Sequence, residues 1–235
     1  MTMKRRTLFM LALAMLLCLA GCKGKTSRPD MDALKAAEVG SYILFGEYEQ
    51  DDDEASGKEA VEWLVLDKQE DKMLVISRYG LDCQPYNTED VDVTWETCSL
   101  RKWLNSTFYE AAFIPEEKNV ILSSTVTADA NPEYDTPAGN DTTDQVFLLS
   151  MKEANQYFAD DAARKLQGTP YCHAQGAVKA DNGNSWWWLR SPGDEPDRAG
   201  DVFYNGSIID YGTFATLNRG AVRPSIWIDI SSISD

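Results

Sequence analysis

Oxygen-bearing side chains crowd one polar stretch in the middle of the chain, between residues 129 and 144. Calcium takes about six to eight oxygen ligands, and flexible loops supply them well. The spacing is not that of an EF-hand, because Tyr134 stands at the sixth position counted from Asp129, where an EF-hand requires glycine. The stretch predicts either a calcium site or an ordinary polar loop, and no other cofactor is expected. The candidate ligands are Asp129, Asn131, Asp135, Asn140, Asp141 and Asp144.

Three consecutive tryptophans, at positions 186 to 188, form the second candidate site. Exposed indole faces stack on sugars and on cations, and alternate residues of a strand face opposite sides. The residues that could bind a ligand are therefore Trp186 and Trp188, together with the nearby Arg190 and with Arg223. The alternative, which we favour, is that the indoles pack in the core and the guanidinium groups bond to backbone carbonyls or buried carboxylates.

Catalytic patterns are scarce. His173 is the one histidine, nothing in the sequence sets it beside a serine and an acid, and its neighbour Cys172 would point the other way in an extended chain. Neither C-x-x-C nor H-E-x-x-H occurs, which disfavours catalytic zinc. The many carboxylates leave open an acid/base pair of the glycosidase type. We therefore expect a protein that is not an enzyme, with paired carboxylates as the alternative.

The elements that must position these residues follow from local patterns. Three apolar runs, separated by an acidic loop and a polar turn, predict an antiparallel meander over Tyr42–Tyr48, Val61–Leu66 and Met73–Ser77. Leu100, Leu104 and Phe108 recur at helical spacing, with Thr94 or Thr97 as the cap.

Later in the chain the signals are sharper. Ser150 and Glu153 form a capping-box pattern that opens a helix. The apolar run Trp186–Leu189 predicts a strand that ends in a turn at Arg190–Gly193. Asn205-Gly206 lies between two apolar runs, which predicts a hairpin. A final strand over Val222–Ile230 carries Pro224, which favours a sheet edge or an irregular position.

The N-terminal sequence predicts where the protein is located. A basic tip (residues 4–6) precedes an apolar run of about a dozen residues, too short for the roughly 20 needed to span a bilayer. The run ends in Leu19-Ala20-Gly21-Cys22, which resembles the lipobox of bacterial lipoproteins. The resemblance implies that residues 1–21 are a cleaved signal peptide and that Cys22 carries the lipid. We expect the mature protein at the extracellular face of the cytoplasmic membrane, bound to it through that lipid.

Charge and composition limit the classes of molecule that we expect the protein to bind. Removal of residues 1–21, which hold three basic and no acidic residues, takes the net charge from −16 to −19. Such acidity disfavours nucleic acid and anionic lipid surfaces and suits cationic partners or calcium. The 43% hydrophobic residues are enough for a packed core. Residues 22–38, polar and small at their start, read as a flexible tether, and residues 39–235 as a single globular domain.

The cysteines leave two readings open. With Cys22 used by the lipid, three remain, so one of them cannot pair within the chain. Outside the cell a Cys83–Cys98 disulfide is possible, with Cys172 left over. The alternative is three half-buried thiols in a domain large enough to fold without bridges, and we favour it slightly.

An ordered set of motifs resembles a known family. The motifs are G-x-Y-I-x-F-G near Gly40, EWLVLD, SLRKWLN, DQVFLLS, WWLRSPG and AVRPSIWI. In this order they are similar to domain of unknown function six-two-seven-three, which is common in secreted and lipid-anchored proteins of Gram-positive bacteria. The resemblance covers about Val39 to Ile230.

The closing motifs are also similar to the C-type-lectin-like fold of the formylglycine-generating (sulfatase-modifying) enzymes. This implies an α+β domain of short, twisted antiparallel strands with two main helices. The cysteine pair of those enzymes is not matched, because only Cys172 lies late in the chain. We therefore expect a non-catalytic binding domain for a cell-surface glycan or protein. The alternatives are an enzyme acting on wall polymers and a structural module of a surface assembly.

Overall fold

The computed structural model describes residues 30–231. The predicted signal peptide and Cys22 lie outside the described residues. Within residues 30–231 no helix has the length and the hydropathy needed to cross a membrane. The strands, in chain order, are β1 (Tyr42–Tyr48), β2 (Glu59–Lys68), β3 (Lys72–Ser77), β4 (Asp82–Cys83), β5 (Ser124–Val126), β6 (Thr142–Asp144), β7 (Val146–Phe147), β8 (Trp187–Pro192), β9 (Arg198–Val202), β10 (Ile208–Phe214), β11 (Ala221–Val222) and β12 (Ser225–Asp229).

The helices are short and lie between the strands. A π-helical turn, Leu104–Phe108, joins two of them into one continuous helical stretch from residue 99 to residue 112. The α-helices are α1 (Met31–Ala36), α2 (Ser99–Trp103), α3 (Tyr109–Ala112), α4 (Pro115–Lys118), α5 (Met151–Tyr157), α6 (Asp161–Arg164) and α7 (Pro170–Ala174). The α+β class predicted from the sequence is confirmed, although the helical residues are divided among several short segments rather than two main helices.

The first sheet has the spatial order β1-β2-β3-β12-β7. Its first three strands form the predicted antiparallel meander, with Trp63 of β2 opposite Ile43 and Ser77. Alternating apolar residues give each strand a buried face: Ile43 and Phe45 are buried in β1 while Tyr42 and Leu44 are exposed. The C-terminal strand β12 lies between β3 and β7 rather than at an edge.

The position of Pro224 explains how the final strand can be central. Pro224 falls in the break between β11 and β12, outside both ladders. Its carbonyl accepts a hydrogen bond from the Ser77 amide at 2.9 Å, and the missing proline N–H is not needed by either sheet. Of the two positions predicted for Pro224, a sheet edge or an irregular point of the strand, the structure has the second.

The second sheet has the order β10-β9-β8-β11-β4, with β8 and β11 parallel and the other neighbours antiparallel. The predicted hairpin at Asn205-Gly206 joins β9 to β10, and the Gly206 amide donates to the Phe203 carbonyl at 2.8 Å. The turn predicted at Arg190–Gly193 was wrong in part, because β8 continues through Pro192 with all six residues buried. Arg190 can be buried in this strand because it forms ion pairs with the carboxylates of Asp129 and Glu153.

The N-terminal end of the described chain departs from the predicted tether. Residues 31–36, which fall within the flexible tether predicted for residues 22–38, form α1. Asp30 caps the helix by accepting a hydrogen bond from the Ala33 amide. Leu34 is 2% exposed and belongs to the same hydrophobic cluster as the sheets. Hydrophobic burial therefore fixes α1 to the domain.

Candidate functional site

The three tryptophans lie in the core. Trp187 and Trp188 are 0% exposed and Trp186 is 5% exposed. The indole nitrogens of Trp187 and Trp188 donate to the carbonyls of Arg164 and Gln84, at 3.1 and 3.0 Å. Because β8 is a central strand with both faces covered, strand alternation leaves no indole face for a sugar. The three tryptophans are therefore placed as the second alternative predicts, packed in the core.

Arg190 holds three parts of the fold together. Its guanidinium donates to both carboxylate oxygens of Glu153, to Asp129 at 3.1 Å, and to the carbonyls of Leu148 and Thr127 at 2.9 and 3.2 Å. Burial alone would raise the pKa of Asp129, but the Ser150 hydroxyl and the Arg190 charge lower it below its usual range. Since Arg190 is only 3% exposed, its donors are used inside the protein. We name this arrangement the Arg190 clamp.

Arg223 is held by ring faces and carbonyls. Its guanidinium lies 4.9 Å from the Trp187 ring and 5.1 Å from the Phe158 ring. Its Nε donates to the Ser77 carbonyl at 3.0 Å. Burial lowers the pKa of Arg223 to about 9, because a charged guanidinium loses its hydration in the core. Like Arg190, this residue therefore serves the packing of the domain.

The predicted calcium ligands are dispersed among other partners. Asp144 accepts hydrogen bonds from Arg101 at 2.7 Å and Trp95 at 3.0 Å, and Asp129 belongs to the Arg190 clamp. The Asn131 amide donates to the carbonyls of Pro192, Gly193 and Asp210. The remaining members are Asn140, which donates to Glu96, Asp141, which accepts from the Ala128 amide, and Asp135, which is exposed.

A different acidic group is compact. In the part of the chain that the structure describes, the one set of three acidic, histidine or cysteine side chains close enough to share an ion is Glu49, Asp51 and Glu59, with ligand atoms within 4.8 Å. They flank the hairpin between β1 and β2, where the sequence predicts an acidic loop. Glu59 also accepts a hydrogen bond from the Gln50 amide at 2.8 Å. Exposed acidic groups of this kind are common without an ion.

Burial keeps the thiols protonated, and the histidine lies beside a backbone carbonyl. Cys83, Cys98 and Cys172 are free and buried, as the reading without bridges predicts. Burial raises the pKa of Cys83 and Cys98 to about 12 and that of Cys172 further, so all three stay protonated at neutral pH. His173 Nδ1 lies 3.0 Å from the Ala177 carbonyl oxygen, at the end of α7.

Asp201 is a buried acid that no motif in the sequence marks as functional. It lies on β9 opposite Trp188, is 2% exposed, and accepts a 2.8 Å hydrogen bond from the Thr213 hydroxyl. Burial raises its pKa to about 7, against the lowering effect of Thr213. Apolar neighbours in a folded sheet, rather than any local sequence pattern, cause this shift.

An exposed aromatic surface lies on the edge strand of the second sheet. On β10, the edge strand, Phe214 is 54% exposed and Tyr211 is 50% exposed. The Arg198 guanidinium covers the Phe214 ring at 4.5 Å. Leu217 follows in a tight turn, its amide donating to the Phe214 carbonyl at 3.0 Å. With the exposed Val91, these residues form what we name the Phe214 surface: Val91, Arg198, Tyr211, Phe214 and Leu217.

Backbone hydrogen bonds assemble a groove beside Phe214. The Val93 amide donates to the Pro196 carbonyl, and the Ala215 amide donates to the Asp197 carbonyl, at 2.9 and 2.8 Å. They bring three loops together around a groove of about 370 Å³, lined by Val91, Pro196, Arg198 and four acidic residues. The acidic residues are Asp90, Asp92, Glu195 and Asp197. Carboxylates, a guanidinium and an exposed ring can bond and stack on a polar ligand.

Comparison with known families gives one match. The model of the family described as Domain of unknown function (DUF6273) matches residues 70–230, from just before β3 to just after β12. Four of the six motifs lie inside the match, whereas the motif near Gly40 and EWLVLD precede it. Comparisons with curated proteins and with solved structures give no significant match.

Proposed function

This chain belongs to the DUF6273 family, and from that premise we propose a non-catalytic binding domain for a cell-surface glycan or protein. The proposed position is the outer face of the cytoplasmic membrane, with Cys22 carrying the lipid. The support for the anchor is the lipobox-like sequence at Leu19–Cys22. The support for binding is the Phe214 surface, where the exposed ring lies against the Arg198 guanidinium, and that guanidinium and four carboxylates line one groove.

A glycan is the ligand class that this composition favours. Sugar rings stack on an exposed aromatic face, and their hydroxyl groups bond to carboxylates and guanidinium groups. The motif residues Trp186, Trp188, Arg190 and Arg223 face inward and contribute by holding the scaffold rigid. A surface protein is the second candidate, because Val91 and Leu217 add exposed apolar area beside the ring.

We also propose that the fold is C-type-lectin-like. The support is the run of short antiparallel strands β8, β9 and β10, followed by the V-R-P motif that leads into β12. An experimental structure superposed on C-type-lectin-like domains tests this. A different order of strands in the two sheets would reject the assignment.

Binding to glycan and surface-protein arrays tests the proposed function. The Phe214→Ala variant should lose at least about tenfold in affinity for any ligand found, because it removes the stacking face. Phe203→Ala is the matched control, since Phe203 is also exposed (43%) and lies on the β9–β10 hairpin outside the groove. Near-ultraviolet circular dichroism checks that both variants fold.

Four outcomes would reject the proposal. Retained affinity in Phe214→Ala would remove the Phe214 surface from the site, and no ligand in either array would remove the binding role. Shortened products from incubated wall glycan, detected by mass spectrometry, would replace binding with catalysis by paired carboxylates. Stoichiometric co-purification of a partner whose binding ignores Phe214 would indicate a structural module.

A further inference from the structure

A shallow apolar groove of about 700 Å³ lies where the described chain begins, between α1 and the outer face of β1. Leu34, Tyr42 and Leu44 are among the residues that line it. Three large apolar side chains around it are strongly exposed: Val39 at 61%, Tyr42 at 52% and Leu44 at 63%. We name these three residues the N-terminal apolar surface. Clustered exposed apolar residues on a soluble domain mark contact with a protein, a ligand or a membrane.

The chemistry at the rim suits a lipid headgroup region. The Arg78 guanidinium lies 4.8 Å from the Tyr42 ring and pairs with Glu62 at 2.8 Å. The Lys68 ammonium reaches the Ala37 carbonyl at 2.7 Å, across the end of α1. Tyrosine with flanking arginine and lysine is the combination found at membrane–water interfaces, where aliphatic stems lie in the apolar layer and charges reach water.

Chain length places this groove near the bilayer. Cys22 precedes Asp30, the first described residue, by eight positions. An extended chain spans at most about 3.6 Å per residue, so Asp30 lies within about 29 Å of a lipid on Cys22. Asp30 itself lines the groove. A tether this short gives the surface a high effective concentration at the membrane, although the acidic domain would not adhere unaided.

We propose that the N-terminal apolar surface rests on the lipid bilayer and sets the orientation of the domain. This rests on the proposed lipid at Cys22. Contact with the apolar part of the interface fits Val39 and Leu44, and the headgroup level fits Tyr42 and Arg78. A surface that fixes orientation would keep the domain from tumbling freely on its short tether.

Fluorescence quenching tests the contact. The lipid-bearing full chain is placed in phosphatidylcholine vesicles, with an environment-sensitive dye on Leu44→Cys or, as control, on Phe203→Cys. Cys83, Cys98 and Cys172 are at most 2% exposed and escape labelling in the folded protein. Lipid-borne quenchers should reduce emission from position 44 severalfold more than from position 203. Equal quenching at both positions would overturn the proposal.

Two further measurements separate the possible failures. Intact mass of the membrane-extracted protein reports acyl chains on Cys22, and their absence would reject the anchor. With acyl chains present and no preferential quenching, only the bilayer contact fails. If Leu44→Glu converts a dimer to a monomer in sedimentation analysis, the surface binds a second copy and the bilayer contact is rejected.

Discussion

Asp201→Asn removes a carboxyl whose pKa burial raises from 3.8 to about 7. The unfolded chain releases this proton near pH 4, whereas the folded protein keeps it until about pH 7. Between those values the folded state binds the extra proton, so the free energy of unfolding falls as pH rises. The contribution is fully present below about pH 4 and fully lost above about pH 7.

The magnitude follows from the width of this pH interval. A tenfold change in a protonation equilibrium corresponds to about 1.4 kcal/mol, and the interval spans about three such steps, so the loss is on the order of 4 kcal/mol. Asp201 is 2% exposed, and solvent therefore screens little of this effect. The asparagine variant keeps the shape of the side chain but has no proton to release in this range.

Urea denaturation at a series of pH values from 4 to 8.5 measures the effect. The stability of Asp201→Asn relative to the wild type should rise across the interval and then level off. Thr213→Val, which removes the 2.8 Å hydrogen bond to the carboxylate, should move the wild-type transition to higher pH. A difference between wild type and Asp201→Asn that does not change with pH would refute the reasoning.

Three further outcomes are expected. Arg190→Met should lower the free energy of unfolding, measured by urea denaturation, by about 3–5 kcal/mol, because it leaves the carboxylates of the clamp buried without a partner. Arg198→Met, at a side chain 27% exposed, should lower it by less than about 1 kcal/mol. Equal losses in the two variants would contradict the clamp. Gly206→Ala should fail to fold, as judged by circular dichroism, since at φ +92° its Cβ would lie 1.6 Å from the Asp161 carbonyl oxygen. Gly183→Ala, in open space at φ +84°, should lose about 1 kcal/mol of stability. Similar losses of stability in both variants would count against this packing. Millimolar calcium should leave the melting temperature unchanged, and a rise that EDTA reverses would show a site among the acidic groups.

Local patterns predict the local elements well. The bounds of β1 match the predicted run Tyr42–Tyr48, and the reciprocal hydrogen bonds of Ser150 and Glu153 open α5 as the capping box requires. The Asn205-Gly206 turn lies between β9 and β10 as predicted. In each case the deciding contacts are a few residues apart, so the sequence carries their signal directly.

Long-range pairing accounts for what could not be predicted. Arg190 is buried because Glu153 and Asp129 lie 37 and 61 residues before it, and no local pattern encodes their approach. The tryptophans gave an ambiguous signal because strand alternation exposes a face only when the sheet leaves one uncovered.

The Phe214 surface was missed for a related reason. The register between β9 and β10 shifts between Ile209 and Thr213, and Gly212 there has φ +70°. This irregularity breaks the period-two alternation by which the outward residues of a strand are recognised. The assembly of the groove also depends on loops that are distant in sequence, joined through Val93 and Ala215.

If the chain is exported as proposed, the central position of the last strands determines how late the domain can fold. β11 joins β4 to β8, and β12 joins β3 to β7, so both sheets stay divided until residues 221–229 are in place. Arg223 likewise bonds to Ser77, 146 residues earlier. Non-local closure of this kind slows folding. A chain threaded through a membrane from its N-terminus would stay unfolded, and hence able to pass, until nearly all of it had crossed.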